Sequence, residues 1–161
     1  NLENSNIGSG SAALGDFAGD PAVYGSTIFG VGAFGETFSA NKNGKVIWRN
    51  NIQSSSRLIV SGNSAFYTSN NALLGRLNSK NGKIVFLKEF TGKRWVKYYG
   101  PLLLQNKLLV LATDKNAYWF SPEDGRLLNK EKLGKKISSP PVVVNKRLMF
   151  VSEDGMLNIL N

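Results

Sequence analysis

The chain has 161 residues and a formal net charge of +9, with 20 Lys and Arg against 11 Asp and Glu, and it contains neither cysteine nor histidine. Those two absences exclude disulfides, thiolate metal sites, cysteine nucleophiles, imidazole ligands and any Ser-His-Asp mechanism carried by this chain alone. No run of apolar residues is long enough for a membrane-spanning helix. The positive charge is concentrated in residues 81–161, which hold 14 of the 20 basic residues against 7 acids. A surface of that kind suits anionic partners such as nucleic acid, anionic lipid or an acidic protein face. Lysines on solvent-facing strand positions, guarding edges against aggregation, also account for it, and this is the reading adopted.

Short apolar runs broken by turn residues follow one another along the whole chain. The first unit spans about 14–52 and ends in Gly44-Lys45-Val46-Ile47-Trp48. Within it, the Gly-rich stretch 30–35 reads as a tight hairpin, because it departs from the dinucleotide fingerprint and no crossover helix follows. The second unit, about 57–90, predicts strands over 57–61, 64–69, 72–77 and 83–90. Asn81-Gly82 there suits a two-residue type I′ turn, and Ile84, Phe86 and Leu87 are expected to face the neighbouring unit. The third unit, about 96–133, has middle strands over 108–113 and 117–120, with Trp119 in the core or at a blade contact. The fourth begins at Ile137, turns at Asp154-Gly155 and ends with the strand 156–160, a three-stranded remnant. Pro21, Pro101 and Pro141 are expected at strand starts, where a missing donor does little harm.

The turns at Gly25, Gly62, Asn106 and Lys146 are spaced by 37, 44 and 40 residues. Four short strands at that period predict an all-β fold, a β-propeller of four-stranded antiparallel blades. About 15 strands and no long helix follow. The Leu102-Leu103-Leu104 run predicts a strand packed on both faces.

The residues "NGKVIWRNNI" (43–52), "IVSGNSAFYTSNNALLGRLNSKNGK" (59–83), "PLLLQNKLLVLATDKNAYWFSPEDGRLL" (101–128) and "PVVVNKRLMFVSEDGMLNILN" (141–161) resemble, in order, the quinoprotein-like repeats of the BamB family. That family comprises lipoprotein subunits of the outer-membrane β-barrel assembly machinery. The resemblance implies about half of an eight-bladed ring, on the periplasmic face of the outer membrane, in a lipid-anchored parent. The start at Asn1 is read as that of a processed or trimmed piece of a longer precursor.

The resemblance also implies a partner site. An acidic segment in the family, Leu-x-Asp-x-Asp-x-x-Pro, helps contact the BamA subunit. It matches Leu14 to Pro21, with Asp16 at the first acid, Ala18 in place of the second, and Asp20 two residues on. Asp16, Phe17 and Asp20 are therefore the candidate partner-binding residues. Asp16 and Asp20 also suit a purely local role as strand-ending Asx turns. A second cluster interleaves Lys93, Arg94 and Lys97 with Trp95, Tyr98 and Tyr99. It fits stacking on single-stranded nucleic acid or, alternatively, a linker whose aromatics pack between blades. The latter is adopted, and no nucleic-acid partner is expected.

The function expected is a non-enzymatic scaffold, with no catalytic residue, cofactor or metal. It binds a BamA-like protein and aids delivery or insertion of β-barrel proteins, possessing edge strands suited to unfolded outer-membrane polypeptides. The alternatives are a sensor or ligand-binding propeller of a membrane-anchored protein and a quinone-dependent dehydrogenase; few acids and no cysteine weigh against the last. Ile28, Val31, Leu157 and Ile159 are expected on bare blade faces, which predicts self-association or pairing with an N-terminal half.

Overall fold

The computed structural model describes residues 19–31, 36–54, 56–69, 71–90, 95–145 and 147–160. Among them are fifteen strands and no helix. The first sheet holds β1 (Ala22–Tyr24), β2 (Thr27–Val31), β3 (Thr37–Asn41) and β4 (Val46–Asn50). The second holds β5 (Ile59–Ser61), β6 (Ser64–Thr68), β7 (Leu73–Asn78) and β8 (Ile84–Glu89). The third holds β9 (Tyr98–Leu104), β10 (Lys107–Ala112), β11 (Asn116–Phe120) and β12 (Leu127–Lys132). The fourth has β13 (Val142–Val144), β14 (Arg147–Val151) and β15 (Leu157–Leu160). Each sheet is an antiparallel meander in chain order, and the first strands of the first three sheets lie beside one another. This is the arc of a β-propeller, three four-stranded blades and one three-stranded blade.

Three apolar layers fill the spaces between blades. Phe29, Trp48, Ile52, Leu58 and Tyr67 join the first blade to the second. Phe66, Leu74, Tyr98, Val110 and Tyr118 join the second to the third. Leu109, Leu111, Ile137, Leu148 and Phe150 join the third to the fourth. Strand alternation decides which face each residue serves. Val31 shares a face with Phe29 and is buried toward the second blade, which overturns the expectation that it is bare. Leu157 and Ile159 are exposed as expected. Leu103 packs toward the second blade while Leu102 and Leu104 pack toward the fourth, so this run serves both faces.

One rung of the two middle strands repeats with an aromatic in every blade. The Cα partners are Gly30 and Phe38, Tyr67 and Gly75, Val110 and Tyr118, and Phe150 and Asn158. In the first two pairs the ring lies over a glycine: an added Cβ would come within 2.5 Å of the Phe38 ring at Gly30 and 2.1 Å of the Tyr67 ring at Gly75. Here the absence of a side chain makes room for the aromatic.

The turns depart from expectation at Asn81-Gly82. Gly82 has φ +71° but Asn81 stays at negative φ, so no type I′ turn forms. The loop instead closes through Asn78 N–H to the Lys83 carbonyl and Gly82 N–H to the Asn78 carbonyl, both 2.8 Å. Its cause lies at the first residue, where Asn78 Oδ1 accepts from the Lys80 N–H and starts the turn early. Asn41 and Ser121 do the same in the neighbouring blades, toward Asn43 and Glu123. Gln105 and Asn106, both at positive φ between paired Leu104 and Lys107, are the residues that adopt the two-residue geometry.

Pro101 also departs from expectation, lying inside β9 rather than at its start. It follows a cis peptide at Gly100 and sits where the β9–β10 register shifts around Val110, an irregularity that tolerates a residue without an N–H. Pro21 and Pro141 do precede β1 and β13 directly. Residues 32–35 of the Gly-rich stretch lie outside the described residues.

Candidate functional site

Antiparallel meanders give the arc two ends. The turns after the first and third strands lie at one end; the turns after the second strands and the links between blades lie at the other. Of the three expected partner-binding residues, Asp16 and Phe17 lie outside the described residues. Asp20 is exposed at the link end, just before β1. Its neighbour Gly19 is pressed on the link between the first two blades: a Cβ there would come within 2.7 Å of the Arg57 backbone nitrogen. That contact fixes the chain entering β1 against the next blade, so Asp20 is held at a blade junction.

The basic-aromatic cluster does not form a stacking platform from its three rings. Tyr98 is buried between the second and third blades, and Tyr99 between the third and fourth. Tyr99 donates to the Ser138 carbonyl at 3.3 Å, with Lys97 Nζ 4.9 Å from its ring centre. Trp95 alone is open, at 99% exposure, which contradicts its packing between blades; Lys93 and Arg94 lie outside the described residues. Trp119 is half-buried against the fourth blade, as expected of a blade contact. Among the described residues no three Asp or Glu side chains gather into a metal-holding group.

The outer strands hold the feature that the sequence reading missed. Each begins with two adjacent exposed apolar residues, Val46-Ile47, Ile84-Val85 and Leu127-Leu128. A register shift falls at each pair, after Ser39, Arg76 and Trp119 on the preceding strand. A bulge breaks the alternation that would otherwise send one of two neighbours inward. Ile84 is therefore exposed, against expectation, while Phe86 does pack on the third blade and Leu87, the next residue, is turned outward by alternation, also against expectation. The signal was present in the chain as Gly, Lys or Arg, and two apolar residues, at 44–47, 82–85 and 125–128. These strands end their sheets, so one backbone edge of each is unpaired within its sheet.

The ion pairs of the link end tie loops together: Lys135 with Asp154 and Lys136 with Glu153 join the fourth blade to the link before it. Lys135 and Ser152, both bonded to Asp154, hold its carboxyl down to about 2. Asp154 is thus a structural carboxylate.

Known proteins share this arrangement. A family model described as outer membrane protein assembly factor BamB matches residues 2–88. The protein of that name from Legionella pneumophila (strain Paris) is 29% identical over 121 residues, which cover 74% of this chain and 30% of that protein. The crystal structure of BamB from Moraxella catarrhalis superposes with a TM-score of 0.81 at 16% identity, covering 91% of this chain and 45% of that one. The WD40 β-propeller domain of Doa1 superposes with a TM-score of 0.73 at 19% identity, covering 88% of this chain and 50% of that one. The chain therefore spans about a third of the matched Legionella protein and just under half of the Moraxella one. With the family model matching more than half of its residues, the chain belongs to the outer membrane protein assembly factor BamB family.

Proposed function

We propose that this chain is part of a non-enzymatic scaffold for outer-membrane protein assembly, acting on the periplasmic face of the outer membrane in a lipid-anchored parent. The observation that carries the reading is the set of bulged, apolar outer strands at 46–50, 84–89 and 127–132, in a chain of the BamB family. An extended polypeptide can add to such an edge through its backbone, while alternate side chains meet the exposed apolar pairs. Unfolded β-barrel segments, which alternate apolar and polar residues, have the matching chemistry.

Asp16, Phe17 and Asp20 form the second element of the proposal, the contact with a BamA-like partner. It is supported by the family resemblance of the acidic segment and by the exposed position of Asp20 at a blade junction. The outward face of the fourth blade is a third contact surface, open to another sheet face of the same kind.

Site-specific photocrosslinking tests the edge reading. A photoreactive residue at Val85 should capture an unfolded outer-membrane β-barrel polypeptide, and one at Lys115, exposed at the link end, should not. Equal capture at both positions would overturn strand addition as the mode of binding.

A further inference from the structure

The end of the arc that carries the first and third turns of each blade is strongly basic. Lys42 and Lys45 stand in the β3–β4 turn, and Lys80 and Lys83 in the β7–β8 turn, all exposed. Lys107 follows the β9–β10 turn, Arg126 closes the β11–β12 turn and Arg147 opens β14, again all exposed. The acids of this end among the described residues are Glu123 and Asp124. The opposite end, by contrast, sets its bases among Glu36, Asp114, Glu153 and Asp154, with ion pairs from Arg49, Lys135 and Lys136. Among the described residues this end thus sets seven exposed bases against two acids, one of which, Asp124, lies 3.9 Å from Arg126.

At this basic end a groove of about 190 Å³ runs between the second and third blades. Ser61, Ser64 and Asn106 line it, and Arg76 stands in its wall. The guanidinium lies 5.9 Å from the centre of the Phe66 ring, which orients it. Its Nη1 donates to the carbonyls of Pro122 at 3.3 Å and Glu123 at 3.2 Å. Its Nε is closed off from solvent and has no hydrogen-bond partner among the described residues, so a ligand in the groove meets the guanidinium through its Nη groups. A guanidinium so placed is an incompletely satisfied fork, whose preferred complement is a carboxylate.

We propose that this end docks an acidic polypeptide segment, one carboxylate of which enters the groove at Arg76 while the surrounding lysines attract the rest. Glu123 at the rim opposes the charge locally, and the seven exposed bases outweigh it. Side-chain hydroxyls and the Asn106 amide supply further polar contacts to a peptide lying across the groove. A membrane surface fits less well: interfacial binding relies on belts of Trp and Tyr, and among the described residues this end exposes Tyr24 alone, with Trp95 at the opposite end. Lys45, Lys83 and Arg126 adjoin the apolar pairs that open the outer strands, but the groove at Arg76 is apart from those edges and from Asp20, so the carboxylate contact stands or falls independently of strand addition.

Fluorescence anisotropy of the 161-residue chain with a short labelled peptide of alternating Glu and Ser tests it. Binding is expected, weakening with added salt as exposed charges are screened. Lys80→Glu with Lys107→Glu, both solvent-exposed changes, should weaken it about tenfold, since reversed charges repel the ligand. Arg76→Met, which keeps an apolar stem over Phe66, should also weaken it. Lys97→Glu with Lys115→Glu, exposed at the other end and off the outer strands, should leave it within about twofold. No binding at low salt, or equal loss from both double variants, overturns the proposal. So does capture of phosphatidylglycerol vesicles by a chain that ignores the peptide.

Discussion

Trp48, on the outer strand of the first blade, lies against Gly82 in the last turn of the second. A Cβ at Gly82 would come within 2.7 Å of the indole ring, and the indole Nε1 donates to the neighbouring Ser79 carbonyl at 2.9 Å. The same contact recurs one blade on, where Phe86 lies against Gly125 and a Cβ would come within 2.5 Å. Each ring is four residues after the glycine of its own blade's turn, Gly44 for Trp48 and Gly82 for Phe86. The repeated spacing is thus a latch from the first blade to the second and from the second to the third. Gly82 receives the ring of the blade before, and Phe86, four residues later, reaches the blade after, while Asn129 at the same place in the third blade carries no ring.

Gly82→Ala should cost about 2–4 kcal/mol, combining a left-handed backbone position with a blocked ring contact. Gly62→Ala separates the two contributions, because Gly62 has φ +55° and nothing within 4 Å of its added Cβ. It should cost about 1–2 kcal/mol, the backbone share alone. Urea unfolding of both variants measures the difference. Equal losses would show that the aromatic latch contributes nothing beyond the backbone.

The sequence made this latch half legible. Its turn glycines and the period were visible, and they predicted the blades, because those glycines serve geometry that any propeller blade repeats. The ring-to-glycine contact was not, since nothing local to Trp48 points to Gly82, 34 residues on. The turn at Asn81-Gly82 misled for a different reason. The dipeptide favours one hairpin locally, but Asn78 starts the loop earlier with its own side chain. Ile84 was misassigned because alternation is a sound guide only in an unbulged strand, and the register shift after Arg76 breaks it. Leu87 was misassigned against alternation, which sends the residue after inward Phe86 out to solvent. Arg76 itself read as an ordinary polar strand residue until the Pro122 and Glu123 carbonyls were brought against it by the next blade.

Tyr67 makes a prediction in pH. Burial pushes its phenol from 10.0 up to about 12, since ionising it between blades would strand a charge. Between those values the folded chain keeps a proton that the unfolded chain releases, so stability falls as pH rises. The contribution is fully present below about pH 10 and declines above it by at most about 1.4 kcal/mol per pH unit. Comparing wild type with Tyr67→Phe in urea removes the shared effect of other groups. Wild type should lose stability more steeply above about pH 10; parallel curves would mean that Tyr67 ionises without opposing the fold.

The acidic segment is tested by reversing charge at Asp16 and Asp20 in the full-length protein. Association with the BamA-like partner should weaken through lost hydrogen bonds and charge complementarity. Reversal at Glu131, an exposed acid on the third blade's outer strand, is the comparison. Co-purification of the double variant at wild-type yield would place the contact elsewhere and leave the two aspartates a local, turn-forming role.

The fourth blade presents its outward face as an apolar surface. Cross-strand registry places Val142, Met149 and Ile159 on one line and Val151 and Leu157 on another, with Val144 beside Arg147. Val142, Val144, Leu157 and Ile159 are 55, 45, 61 and 49% exposed. The opposite face of the same sheet is covered, with Leu148 and Phe150 buried against the third blade. One sheet thus has one apolar face packed and one apolar face in water, and contiguous patches of that kind drive association. In light scattering the 161-residue chain should therefore form dimers or larger species at micromolar concentration. Leu157→Thr with Ile159→Thr gives both positions the β-branched side chain that strands favour while lowering the apolar area. It should shift the population toward monomer without lowering the unfolding midpoint of the third blade's core. A wild-type chain that stays monomeric and well dispersed would show that this face needs no cover, and an associating chain indifferent to the double variant would place the contact on another surface.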